Sequence, residues 1–370
     1  MILYLYMLLL IVIEGVVLLR RDSKRTSGLF FLLVWLELTL FAGLRSVNVG
    51  RDTALYFSTF NYMSHLPDLA YLSNYMERGF LLLCRGLSYI WDSPQVLFFT
   101  VGGIYTYVFL RFINKFSPWR LISVIIFFSA VPLGSYIFGM SFLRQALAIS
   151  FVILGIEKLL ENKGWLFVVF VLLGMIFHKS AVFCLVLWPL QKQKINWFTL
   201  ALAFVGAISF MVLLPVILPH LPFGTGRYAN YALREVGEIS YLTAFIKAMV
   251  QLCICGTVLY VYFTKQDRSP TIHLFAWISI IAFVCEFSAI RILFMNRVLY
   301  FTVLNCVIIP YVLSHLKSKR EFVAVTAFFI FLFTFNNLEF WMRRAEREHV
   351  DQYEFYWDNP RGLVRWNLYG

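Results

Sequence analysis

MILYLYMLLLIVIEGVVLLRRDSKR (Met1–Arg25) reads as a membrane helix followed by a basic turn. A helix of about 20 apolar residues crosses the hydrocarbon core of a bilayer. The run ends in Arg20, Arg21, Lys24 and Arg25 without the small-residue pattern of a cleavage site. It is therefore expected to stay in the protein as a helix rather than leave as a signal peptide. Comparable runs recur along the whole chain. They lack the period-two alternation of barrel strands, and lipid leaves only helices or closed barrels as spanning structures. Composition agrees: the 370 residues are 61% hydrophobic and 14% charged. A soluble domain carries about 25% charged residues. Mean hydropathy is +0.76. The sequence predicts an all-α polytopic membrane protein.

Outward from that first run, spans are expected near 1–19, 28–44, 95–111, 120–140, 144–160, 164–177, 180–190, 196–218, 241–263, 271–290, 297–316 and 321–340, about 12 crossings of bilayer length or slightly shorter. Residues 1–340 form one transmembrane domain, with outer loops at 45–94 and 219–240, and 341–370 form an aromatic tail. Six short connections, RRDSKR (20–25), RFINKFSPWR (111–120), EKLLENKG (157–164), QKQK (191–194), TKQDR (264–268) and LKSKR (316–320), hold nine of the eleven lysines. By the positive-inside rule they face the cytoplasm, which puts both termini and 45–75 outside. Residues 76–91, short and interrupted by Arg85, read as a re-entrant or interfacial helix on the outer face. One continuous helix over 164–190 would invert every later loop.

The net charge of +12 suits helix orientation and anionic lipid heads and does not call for nucleic acid. Six cysteines lie in apolar runs without a CxxC pair, and six histidines form no HExxH motif. Neither a disulfide framework nor a metal site is expected. The outer segments are rich in arginine and hold only two lysines, Lys179 and Lys247. Arginine presents a planar fork suited to phosphate and carboxylate. Two readings stay open: contact with lipid head groups and outer acids, or a phosphate-bearing ligand.

Several outer stretches carry chemistry. GLRSVNVGRDTALYFSTF (Gly43–Phe60) places Arg45, Arg51 and Asp52 beside apolar runs. Asp52 and Tyr56 share a helix face. Asp52 either caps that helix or projects into an outer cavity as a base or as an orienter of Arg45. SFLRQALAISF (141–151) sets Arg144 and Gln145 at a helix start, where free N–H groups already favour a phosphate. The bland alternative is an Arg144 that snorkels to the interface. GMIFHKSAVF (174–183) breaks an apolar run with His178, Lys179 and Ser180. A lone histidine is usually structural, but ionisable residues at membrane depth are functional candidates, and histidine exchanges protons near neutral pH. Arg291 and Arg297 mark a late outer turn, with Glu286 as a candidate ion-pair partner. Arg227 stands in the glycine-bearing loop 222–240.

Taken in order, GLRS-x3-GRDTxxY (43–56), MERGFLLL (76–83), FLRQALA (142–148), FHKSA (177–181) and RxxxxxR (291–297) resemble the EpsG family of exopolysaccharide polymerases, relatives of the Wzy-type polymerases. The resemblance covers most of the first 300 residues and leaves the tail outside. It implies a glycosyltransferase of the GT-C type in the bacterial cytoplasmic (inner) membrane, working on the outer face. The implied donor is a growing glycan on undecaprenyl diphosphate, and the acceptor is a lipid-linked repeat unit. A chain-length regulator protein is an implied partner, and no cofactor or metal is implied. On that basis the catalytic candidates are His178, Asp52 and Arg144. His178 is the first choice of base and Asp52 the second. Arg144, assisted by Arg291 or Arg297, would stabilise the leaving diphosphate. Arg45 and Arg51 would rim the cavity, Glu77 would fix the acceptor or share proton transfer, and Tyr56, Gln145, Lys179 and Arg227 would contact substrate. A lipid-linked oligosaccharide flippase, an outer-face ligase and a membrane O-acyltransferase are the competing functions.

Overall fold

The computed structural model describes residues 2–21, 23–65, 76–129, 133–217, 241–264, 269–290, 299–316, 318–359 and 362. Among them the secondary structure is helical, and the single strand-like pairing is an isolated bridge between Arg45 and Phe355. In chain order the helices are α1 (Ile2–Leu18), α2 (Lys24–Gly43), α3 (Thr53–His65), α4 (Arg78–Ser88), α5 (Gln95–Phe116), α6 (Arg120–Phe128), α7 (Tyr136–Ser141), α8 (Leu143–Leu160) and α9 (Gly164–Phe177). A 3-10 segment, Lys179–Val186, leads into the short α10 (Leu187–Leu190). There follow α11 (Trp197–Ile217), α12 (Tyr241–Thr264), α13 (Pro270–Ser288), α14 (Asn305–Ser314) and α15 (Lys319–Glu339).

Polar loops start several of these helices through side-chain caps. Ser23 Oγ accepts from the Thr26 amide at 3.1 Å to open α2. Asn196 Oδ1 accepts from Thr199 at 2.9 Å to open α11. Ser269 caps α13, with Pro270 in the first turn, where the missing N–H costs nothing. Ser318 caps α15. Each cap lies in or beside a lysine-bearing connection, so the residues that divide the apolar runs also begin the next helix.

Five of the described helices are long and apolar enough to cross a membrane: 24–43, 95–116, 241–264, 270–288 and 319–344. Several shorter apolar helices accompany them. The expected run at 120–140 is divided into α6 and α7, and the apolar stretch 164–190 is broken at His178, as the sequence suggested. The most extensive packing is between α8 and α9, α12 and α13, and α2 and α5. At one end of the α5/α8 pair, Arg111 reaches the buried Glu157 at 2.9 Å, and Lys115, Lys158 and Lys163 converge on Glu161. Two of the lysine-bearing turns therefore meet as one ionic cluster, which keeps the buried Glu157 charge paired.

The C-terminal segment folds back onto the loop after α2. The Ser46 and Gly50 amides donate to the Glu354 and His349 carbonyls at 2.8 Å each, and the Tyr356 amide donates to the Leu44 carbonyl at 2.9 Å. Ser46 Oγ and Asn48 Nδ2 donate to the Glu354 carboxylate at 2.6 and 3.0 Å. The Tyr353 hydroxyl donates to the Phe41 carbonyl, and its ring packs with those of Tyr4 and Phe41. Gly50 completes the turn at φ +96°, where a Cβ would lie 2.7 Å from Thr53 Oγ1 and 3.2 Å from Ser141 Oγ. Only glycine takes up that left-handed backbone without strain.

Candidate functional site

Four separated motifs meet around Arg144. The residue opens α8, directly after the α7 turn, and its side chain is 15% exposed. Arg144 Nη1 donates to Glu77 Oε2 at 2.5 Å. Glu77 precedes α4 and is buried. Arg144 also donates to the hydroxyl of Tyr56, which is buried on α3 and stands edge-on to Phe80 at 5.3 Å. The other oxygen of Glu77 receives the backbone N–H of Lys179 at 3.5 Å. Burial opposes ionisation of Glu77, yet the Arg144 guanidinium beside it holds its carboxyl below the usual range. Burial likewise pushes the Tyr56 hydroxyl up to about 12, so it stays neutral. The Nε–H of Arg144 is buried and meets no acceptor.

His178 ends α9 and caps the 3-10 segment that follows. Its Nδ1 lies 2.6 Å from Ser180 Oγ, which lies 3.1 Å from the Tyr300 hydroxyl. Ser180 and Tyr300 are both buried. Sequence marked Ser180 only as part of the break in an apolar run, with no role of its own, and did not mark Tyr300, because a tyrosine beside an apolar run looks ordinary. The HKS spacing was the one available signal, since a hydroxyl two residues after a helix-breaking histidine can bond back to its ring.

The remaining candidates divide. Asp52 is half-buried one turn before Tyr56 and interacts with it electrostatically. Gln145 is buried beside Arg144. Lys179 is exposed at the edge of the cluster, and Arg51 is exposed with Glu348 at 3.8 Å. Arg45 departs from the expected position at a cavity rim. It is wholly buried, donates to the carbonyls of Ala42 and Met140, and lies 4.4 Å from the Phe98 ring centre. Gln95 closes the same knot by donating to the Arg45 carbonyl at 2.8 Å. Burial pulls the Arg45 guanidinium down to about 10, which leaves it a cation near neutral pH. Both Nη groups of the buried cation meet backbone oxygens and its plane lies by an aromatic face, while its Nε–H meets no acceptor, so it braces the loop. Arg227, Arg291 and Arg297 lie outside the described residues. Beside Glu286 the described cations are Lys247 and Arg344.

The arrangement offers a fixed guanidinium, a neutral phenol, a histidine and two carboxylates around one point. Donors of this kind can hold an anion, and the carboxylates and histidine can take a proton. No curated protein and no solved structure matches the chain significantly. The EpsG family model matches residues 28–353. The match runs into the C-terminal segment that the sequence resemblance had left out, and it takes in every motif gathered at this site. The chain belongs to the EpsG family, a family of Wzy-type polysaccharide polymerase-like proteins.

Proposed function

We propose that the protein is a GT-C-like glycosyltransferase that extends a polysaccharide at the outer face of the bacterial cytoplasmic membrane. The donor is a growing glycan on undecaprenyl diphosphate, and the acceptor is a single lipid-linked repeat unit. An acceptor hydroxyl attacks the anomeric carbon, lipid diphosphate leaves, and the chain grows by one unit. The observation that carries this reading is the Arg144 cluster. Glu77 and Tyr56 fix a guanidinium whose Nε–H still meets no acceptor, within one group drawn from four motifs. A preorganised donor of this sort stabilises charge as it develops on a leaving group. Glu77 is ill suited to be the base, because a carboxyl held below its usual range binds protons weakly. That leaves His178 and Asp52 for the acceptor proton.

The test is incubation of the purified full-length protein, in lipid, with a lipid-linked repeat unit. A ladder of glycan lengths supports polymerisation. Unchanged substrate that crosses the bilayer would identify a flippase, and one transfer to a different acceptor without a ladder would identify a ligase. Addition of a chain-length regulator protein should shift the ladder without being needed for it.

A further inference from the structure

The bonds around His178 determine which ring nitrogen carries its proton. A backbone N–H can only donate, and that of Ser180 points at Nδ1 from 3.4 Å. Nδ1 is therefore an acceptor. The Ser180 hydroxyl, 2.6 Å from the same nitrogen, donates to it in turn. The Ser180 oxygen is then left to accept from Tyr300 at 3.1 Å. The chain Tyr300 O–H to Ser180 O–H to Nδ1 uses each hydrogen once. A neutral imidazole that accepts at Nδ1 holds its proton on Nε2. A general base needs the opposite, a lone pair on the nitrogen that takes the acceptor proton. Among the described residues the charged groups near His178 include Glu77 before α4, with Lys179 next in the chain and Arg144 paired to Glu77.

We propose that His178 serves the transfer as a hydrogen-bond donor through Nε2–H to the departing diphosphate. Ser180 and Tyr300 are positioning residues that hold this tautomer, and the acceptor proton passes to Asp52. The inference rests on the polymerase reading. In the step, the bond from the anomeric carbon to the diphosphate oxygen breaks and its electron pair stays on that oxygen. The acceptor oxygen bonds to the anomeric carbon and releases its proton to the Asp52 carboxylate. His178 keeps its own proton while bonding the phosphate oxygen. Neutral and protonated imidazole both supply that bond, so protonating His178 does not switch the reaction off.

The experiment measures the initial rate of ladder formation by full-length wild type, His178→Gln, His178→Ala and Ser180→Ala, from about pH 5.5 to about 8, around the ordinary histidine value of about 6.5. Size-exclusion profiles confirm that each variant is folded. Glutamine keeps a donor near the Nε2 position and should stay within about tenfold of wild type, whereas alanine should lose about 10²-fold, the usual effect of removing an oxyanion donor. Ser180→Ala should slow turnover severalfold without adding an acid limb. The proposal is overturned if Gln and Ala lose equally. It is also overturned if wild type slows about tenfold per pH unit below about 6.5 and that limb vanishes in His178→Gln. A wild type that makes no ladder at any pH sinks the polymerase reading. The donor role is then decided by affinity for undecaprenyl diphosphate. Wild type and Gln binding alike, with Ala about tenfold weaker, supports it; equal affinity in all three overturns it.

Discussion

At Arg144 the fork matters more than the charge. Lysine would keep a cation but could not serve Glu77, Tyr56 and a phosphate at fixed angles. Arg144→Lys should therefore cut polymer yield by about 10²-fold or more at normal protein levels, read from the ladder assay. Full activity would reduce Arg144 to a point charge. Glu77→Ala leaves the buried guanidinium without its anion and should destabilise the fold by about 3–5 kcal/mol, seen as an earlier thermal transition in detergent. The sign of the pH effect follows from the lowered carboxyl. Stability from the pair is complete above the ordinary glutamate value of about 4.3 and is lost as pH falls through the still lower folded value. The wild-type thermal transition should hold steady from pH 7 to about 5 and drop only in stronger acid, and Glu77→Ala should lack that drop. Sequence made Tyr56, Glu77, Arg144 and His178 legible because ionisable or helix-breaking groups beside apolar runs demand partners. It misplaced Arg45 because charge alone does not say whether a guanidinium reaches solvent or backbone carbonyls.

Among the elements, α9 and its 3-10 continuation were visible because FHKS interrupts an otherwise continuous apolar stretch. The helix ends at 18, 43, 160 and 177 also fall close to the expected boundaries, since polar caps and basic turns mark them locally. The C-terminal clasp was not visible. Its contacts join residues such as Ser46 and Glu354, 308 positions apart, and no local pattern encodes such a pairing. Glu354 receives two side-chain donors there, and hydrogen bonds to a charged group contribute about 1.5–3 kcal/mol each. Glu354→Ala should therefore expose the 43–50 loop to added protease in intact vesicles of the appropriate orientation, while wild type resists cleavage. Cleavage equal to wild type would mean that the backbone bonds alone hold the clasp.

Across the whole molecule, the lysine-bearing turns and the motif-bearing loops are proposed to lie on opposite sides of the membrane. Single cysteines at Ser64 and Gln193 in a cysteine-free background test this. Ser64 should label from outside and Gln193 only after permeabilisation; the reverse result at Gln193 would invert the second half of the topology. The helical class followed from composition, while the way the helices assemble around Arg144 depended on contacts such as that between Glu77 and Arg144, 67 positions apart.

The clasp also has a consequence for biogenesis. Ribosomes add about 5–20 residues per second, so the stretch containing Arg45 is made roughly 15–60 s before the segment that covers it. During that interval the nascent protein has its signature loop in place but lacks Tyr353 and Glu354 to fasten it. A chain released before Tyr353 would carry every motif of the site and still leave that loop unfastened. Fastening of the loop around Arg45 therefore waits for a segment made about three hundred residues later.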